Sequence, residues 1–98
     1  MISVFVTFQY GDDFNHERVA KVAAEARTMF EGMPGLRSKV FTVDDGARRA
    51  TNVYVWDDER AAREFFSDAL KERVTGLYGV APSIAFGEVL ELVDNGRV

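Results

Sequence analysis

The sequence has no cysteine, two prolines, one tryptophan and a single histidine in 98 residues. Without cysteine there are no disulfides, no thiolate metal sites and no cysteine nucleophile. One histidine is too few for a histidine-built metal centre, so no metal and no cofactor is expected. No apolar run approaches the roughly 20 residues of a membrane-spanning helix. The opening Met-Ile-Ser-Val-Phe-Val lacks the basic start of a secretory signal, and a cytoplasmic location is expected. Basic residues are in the minority, 12 against 16 acidic, for a net charge of −4. That balance disfavours nucleic acid, whose phosphates call for a basic face. Arg48-Arg49, the only adjacent basic pair, reads as a solvated hairpin tip. Dinucleotide-binding glycines, a phosphate loop and a nucleophile elbow are all missing. None of Ser3, Ser38, Ser67 and Ser83 has an adjacent histidine, so a hydrolase has no support.

What remains is 47% apolar and 12% aromatic, enough for one folded domain over residues 1–98. Ile2 to Tyr10 is rich in β-branched and aromatic residues and reads as a strand. Ile2, Val4, Val6 and Phe8 share one parity, while Phe5 and Thr7 share the other. Asp13 or Asn15 can cap a helix whose apolar stripe runs Val19, Val22, Ala23, Ala26, Met29, Phe30 and Met33. Gly32 to Gly35 ends it around Pro34. Leu36–Val43 and Ala50–Trp56 read as a hairpin turned at Asp44-Asp45-Gly46. Asp57 is the expected cap of a second helix carrying Ala62, Phe65, Phe66, Ala69, Leu70 and Val74, closed by Gly76 and Gly79. Ile84 to Val93 is the expected last strand, followed by a polar tail, Asp94 to Val98.

The order β-α-β-β-α-β predicts an α+β, ferredoxin-like split βαβ: a four-stranded antiparallel sheet with both helices on one face. Helices cover only that face, yet the strands carry apolar residues on both parities. An uncovered apolar face marks an interface. A homodimer with its sheets packed face to face is therefore expected.

Asn52, Tyr54 and Trp56 share one parity of the third strand. These three are costly to bury without partners. They suit a pocket that holds a flat aromatic ligand and orients it with amide, phenol and indole donors. The opposite reading, Trp56 packed under the second helix and Asn52 facing the hairpin end, stands equally open. Phe41 and Lys39 share a parity on the neighbouring strand and can join either face; a lysine there would stabilise an enolate or phenolate. Phe65, on the second helix, is assigned to the pocket wall, though Phe65, Phe66 and Met29 can equally fill it. His16 belongs to the residue type that ordinarily exchanges protons near neutral pH. It is a candidate base, set against an ordinary exposed residue at a helix start.

Pro34-Gly35-Leu36 leading into Lys39-Val40-Phe41-Thr42, then Tyr54-Val55-Trp56-Asp57-Asp58-Glu59 with Ala61-Ala62, resembles the dimeric α/β-barrel superfamily and its YdhR-like monooxygenases. The resemblance spans nearly the whole chain. It implies a pocket between sheet and helices in each protomer. It also implies cofactor-independent oxygenation of an aromatic or polyketide-like phenol or enol. Such enzymes use an Asn and a Trp four residues apart on the third strand, here Asn52 and Trp56. Their pocket tyrosine six residues further on is replaced by Ala62, and their catalytic arginine corresponds to Arg73. Haem-degrading members need an axial histidine on the second helix, which this chain lacks. The alternatives are a non-catalytic dimeric small-molecule-binding or stress-associated protein, and a cyclase or isomerase on the same fold.

Overall fold

The computed structural model describes residues 1–96. The chain runs β1 (Ile2–Gln9), α1 (His16–Phe30), β2 (Leu36–Asp44), β3 (Arg49–Trp56), α2 (Glu59–Phe65), α3 (Asp68–Tyr78) and β4 (Ser83–Glu88). The strands form one antiparallel sheet in the order β2-β3-β1-β4. This is the ferredoxin-like α+β fold, with one helix more than the sequence predicts.

The extra helix comes from a break at Phe66-Ser67. Ser67 has extended backbone and its hydroxyl accepts the Leu70 amide hydrogen, starting α3 afresh. The expected closure at Gly76 is also corrected: Gly76 lies inside α3, which ends at Gly79 in the left-handed conformation, φ 85°. The α1 cap is Asn15. The α2 cap is Asp58, one residue later than predicted, because Asp57 is engaged elsewhere: its amide donates to the Gly35 carbonyl and its carboxylate pairs with Arg37.

The last strand is the larger correction. β4 ends at Glu88, not Val93. Val89 to Val93 alternates like a strand, but among the described residues it has no backbone pairing beyond the Val89 amide on Met1, and Leu90 is 86% exposed. Of the expected polar tail, Arg97 and Val98 lie outside the described residues.

Parity decides the core. Ile2, Val4, Val6 and Phe8 of β1 are buried with Ala50, Tyr54 and Trp56 of β3, beneath Val19, Ala62, Phe66 and Tyr78 from the helices. On the open face, Val40, Val53, Phe5 and Ala85 stand in register as one row across all four strands. Phe5 is 44% and Val40 53% exposed there. The corner before β2 needs Gly35: its φ is 82°, and a Cβ there would meet the Ala61 Cβ at 3.3 Å and the Trp56 ring at 3.8 Å. Among the described residues no helix is long and apolar enough to cross a membrane.

Candidate active site

A bulge near the start of β2 sets the site. Leu36 pairs with Trp56 and Ser38 with Val55, so Arg37 is the extra residue. The bulge lets Leu36 and Lys39, three apart, face the same side, where simple alternation would send one of them outward. Lys39, Tyr54, Val4 and Phe86 then form one row on the helix-covered face, and Phe41, Asn52, Val6 and Ile84 the next.

Between these rows and the helices lies an apolar cavity of about 50 Å³, walled in part by Asn52, Tyr54, Phe65, Tyr78 and Lys39. Space of this order takes oxygen or a few waters, not a fused-ring phenol. A second, more open cleft of about 310 Å³ adjoins it, bounded by Arg27, Glu31, Arg37 and Ser38. Phe30, Lys39 and Phe41 line both spaces and so form the partition between them. The cleft is within the usual size for a small ligand, roughly 300 Å³ and upward.

Lys39 is the unusual group. Its Nζ donates to Tyr54 Oη at 2.8 Å and stands 3.4 Å from the Phe30 ring centre, 4.2 Å from that of Phe41 and 4.3 Å from that of Tyr54. None of the ion pairs formed among the described residues involves it. Burial without a counter-ion pulls its pKa down from 10.5 to about 7. The ring faces favour the ammonium form and work against that shift. Burial pushes the Tyr54 phenol well above the usual range, so Tyr54 stays protonated. The amine can therefore give or take a proton near neutral pH beside a phenol that keeps its own.

Asn52 is 4% exposed. Its amide donates to Tyr78 Oη at 3.0 Å, leaving a second N–H. Tyr78 is fixed twice more. Its ring stacks on Phe8 at 3.7 Å, and its carbonyl accepts from Tyr10 Oη at 2.7 Å. Its phenol is raised by burial, partly offset by the Asn52 bond.

The structure thus brings Lys39, Phe41, Asn52, Tyr54, Phe65 and Arg73 to one cavity. It leaves out Trp56 and His16. Trp56 is 2% exposed and packed against Phe65, Phe66 and Tyr54, and its indole N–H is buried without an acceptor. Ala62, where the resemblance expects a tyrosine, is fully buried. His16 lies at the surface with Nδ1 2.7 Å from Asp45 at the hairpin end, away from both spaces. Two wall residues escaped the sequence reading as site residues. Tyr78 continues the second-helix stripe four residues past Val74, a spacing that was available as a signal. Phe30 was read only as part of a helix stripe. No cluster of three or more His, Asp or Glu able to hold a metal exists among the described residues.

A small ferredoxin-like protein with a largely apolar, aromatic-walled cavity and a titratable amine in its wall is the class defined so far. Residues 4–84 match the family described as "Putative mono-oxygenase ydhR", and the chain belongs to that family. No curated protein matches it significantly. Among solved structures it is similar to a mutant of SnoaB, a cofactor-independent oxygenase from Streptomyces nogalater, with 16% identity, TM-score 0.68 and coverage of 94% of this chain and 95% of that one. It is also similar to the ActVA-Orf6 monooxygenase of Streptomyces coelicolor in complex with nanaomycin D, with 17% identity, TM-score 0.68, and 97% and 92% coverage. A third is a dimeric ferredoxin-like protein from Thermobifida fusca, with 15% identity, TM-score 0.67, and 90% of each chain covered. At these identities the structural likeness concerns the fold.

Proposed function

We propose that the protein is a cofactor-independent monooxygenase acting on a small aromatic phenol or enol. The observation that carries this reading is the pairing of Lys39 with a largely apolar cavity of oxygen-admitting size. The substrate ring lies in the outer cleft against Phe30 and Phe41, with its acidic hydroxyl at Lys39. The amine takes the proton, and the resulting anion is electron-rich enough to react with O₂ directly. For a ring methylene beside a carbonyl the balance is R₂CH₂ + O₂ → R₂CO + H₂O. One oxygen atom becomes the new carbonyl, the other leaves as water, and the substrate supplies all the electrons. The free N–H of Asn52 holds the oxygen-derived anion, a role for a fixed donor in a dry site. The nanaomycin D complex of ActVA-Orf6 and the cofactor-independent chemistry of SnoaB support this choice of substrate class and of oxidant.

The test is oxygen uptake with anthrone-like phenols. Asn52→Ala is expected to lower kcat about 10²–10³-fold, the usual cost of one oxyanion donor. Lys39→Met is expected to lose about 10²–10⁴-fold, the usual worth of a positioned base. Trp56→Phe is expected to keep the rate. Equal rates for wild type, Asn52→Ala and Lys39→Met would refute the assignment.

The active unit of this reading is a homodimer closed through the open sheet face. The in-register row Val40, Val53, Phe5 and Ala85 supports it, as does the dimeric Thermobifida fusca protein. Sedimentation is expected to show about twice the 11.0 kDa chain mass. Val53→Asp is expected to return it to the monomer by placing an unpaired charge at the centre of the row. A wild-type monomer at micromolar concentration would exclude the dimer.

A further inference from the structure

We propose that Lys39 is also a nucleophile, capturing a single-ring aromatic aldehyde or ketone in the outer cleft as an imine, with Tyr54 as its proton donor. Four observations on the site support it. Lys39 lines both the cleft and the cavity, which puts its side chain within the space a carbonyl compound would enter. It has no carboxylate partner among the described residues, so no ion pair has to be broken before attack. Tyr54 Oη is 2.8 Å away and accepts from Lys39, which leaves its own O–H available as a donor to the carbonyl oxygen as charge develops there. Phe30 and Phe41 flank the amine with ring faces on which a flat aromatic carbonyl can stack. A lysine desolvated among apolar groups is a usual way of keeping an amine reactive.

The steps balance without an oxidant. The amine lone pair attacks the carbonyl carbon while the C=O π pair moves to oxygen, which takes the Tyr54 proton. An amine proton then passes to the Tyr54 oxygen. The nitrogen lone pair forms C=N as the hydroxyl takes the Tyr54 proton and leaves as water, and the proton still on nitrogen returns to the Tyr54 oxygen. The sum is R–CHO + Lys–NH₂ → R–CH=N–Lys + H₂O. Other charged groups facing the cleft are Arg27 from α1, Glu31 just after it and Arg37 from β2. Arg27 and Glu31 pair with each other, and Arg37 pairs with Asp57.

The molecule carries its own controls. Lys21 and Lys71 are its other lysines; both are exposed, Lys21 away from both spaces and Lys71 among the residues around the cavity but not the cleft. The experiment treats the wild-type protein with benzaldehyde and cyanoborohydride at pH 7 without oxygen, then maps the benzylated peptides. The Lys39 peptide is expected to label at least about tenfold faster than those of Lys21 and Lys71. The Met1 amine is read separately from its own peptide. Equal labelling of the three lysines, or none at Lys39, would overturn the proposal. Tyr54→Phe is expected to slow labelling at Lys39 alone by about tenfold; an unchanged rate would remove Tyr54 from the step. Lys39→Arg keeps the cation and abolishes the label. Because imine formation uses no oxygen, its failure leaves the oxygenase reading standing, and the reverse also holds.

Discussion

The two ends of β3 point into the same core and are built on opposite plans. At one end Trp56 is surrounded by Ile2, Ala62, Phe65 and Phe66, and the packing is solid. At the other, Asn52 and Tyr54 border an open space, held by hydrogen bonds to Tyr78 and Lys39. The solid end pins the hairpin to α2. The hollow end gives up some packing to hold polar groups in place. An Asn and a Trp four residues apart therefore need not act on one substrate. In this chain Phe65 at the end of α2 and Phe66 just beyond it lie against the indole.

The contrast can be broken at either end. The largest effect is expected from Trp56→Ala, which empties the solid end and should cost about 3–5 kcal/mol in urea unfolding. A loss below about 1 kcal/mol would mean the packing there is not what stabilises the hairpin. The hollow end should show instead in the pH dependence of stability. The Lys39 amine releases its proton near pH 7 in the folded protein, against 10.5 ordinarily. Between those values the unfolded chain binds more protons, so stability rises with pH across that window and the penalty is full below it. Near pH 10 the raised phenols of Tyr10, Tyr54 and Tyr78 act in the opposite sense and end the rise. Lys39→Met is expected to flatten the rise between pH 7 and 9. An unchanged slope would show that the amine is not desolvated. The smallest effect is expected at His16, exposed and paired with Asp45. His16→Ala should change stability by less than about 0.5 kcal/mol and leave oxygen uptake intact. A large loss of uptake would restore His16 as the base.

Element order, strand parity and both faces of the sheet were legible in the residues because periodicity reports burial directly. The break between α2 and α3 was harder to see. The stripe Phe65, Phe66, Ala69, Leu70 and Val74 keeps helical spacing across it, and only Ser67 signals the restart. The overlong last strand followed from the alternation of Val89 to Val93, which says nothing about whether a partner strand is present. The parity of Asn52 and Tyr54 put both on the helix-covered face of the sheet. The side taken by Lys39 and Phe41 depends on a bulge, and a bulge is a matter of pairing rather than composition. The partition between cavity and cleft is further from the sequence still, since it arises from three side chains on two elements meeting in space.

The Arg37 bulge has one more consequence. Removing Arg37 would leave Leu36 paired with Trp56 and Ser38 with Val55, so every inward residue of β2 would keep its place. The surplus residue borders the outer cleft and reaches Asp57 at 2.7 Å. Chain length at this point acts as an expansion joint. The rim of the cleft can gain, lose or exchange a residue while the interior holds its alignment. Variation in what the entrance admits is thereby uncoupled from the cost of refolding the sheet.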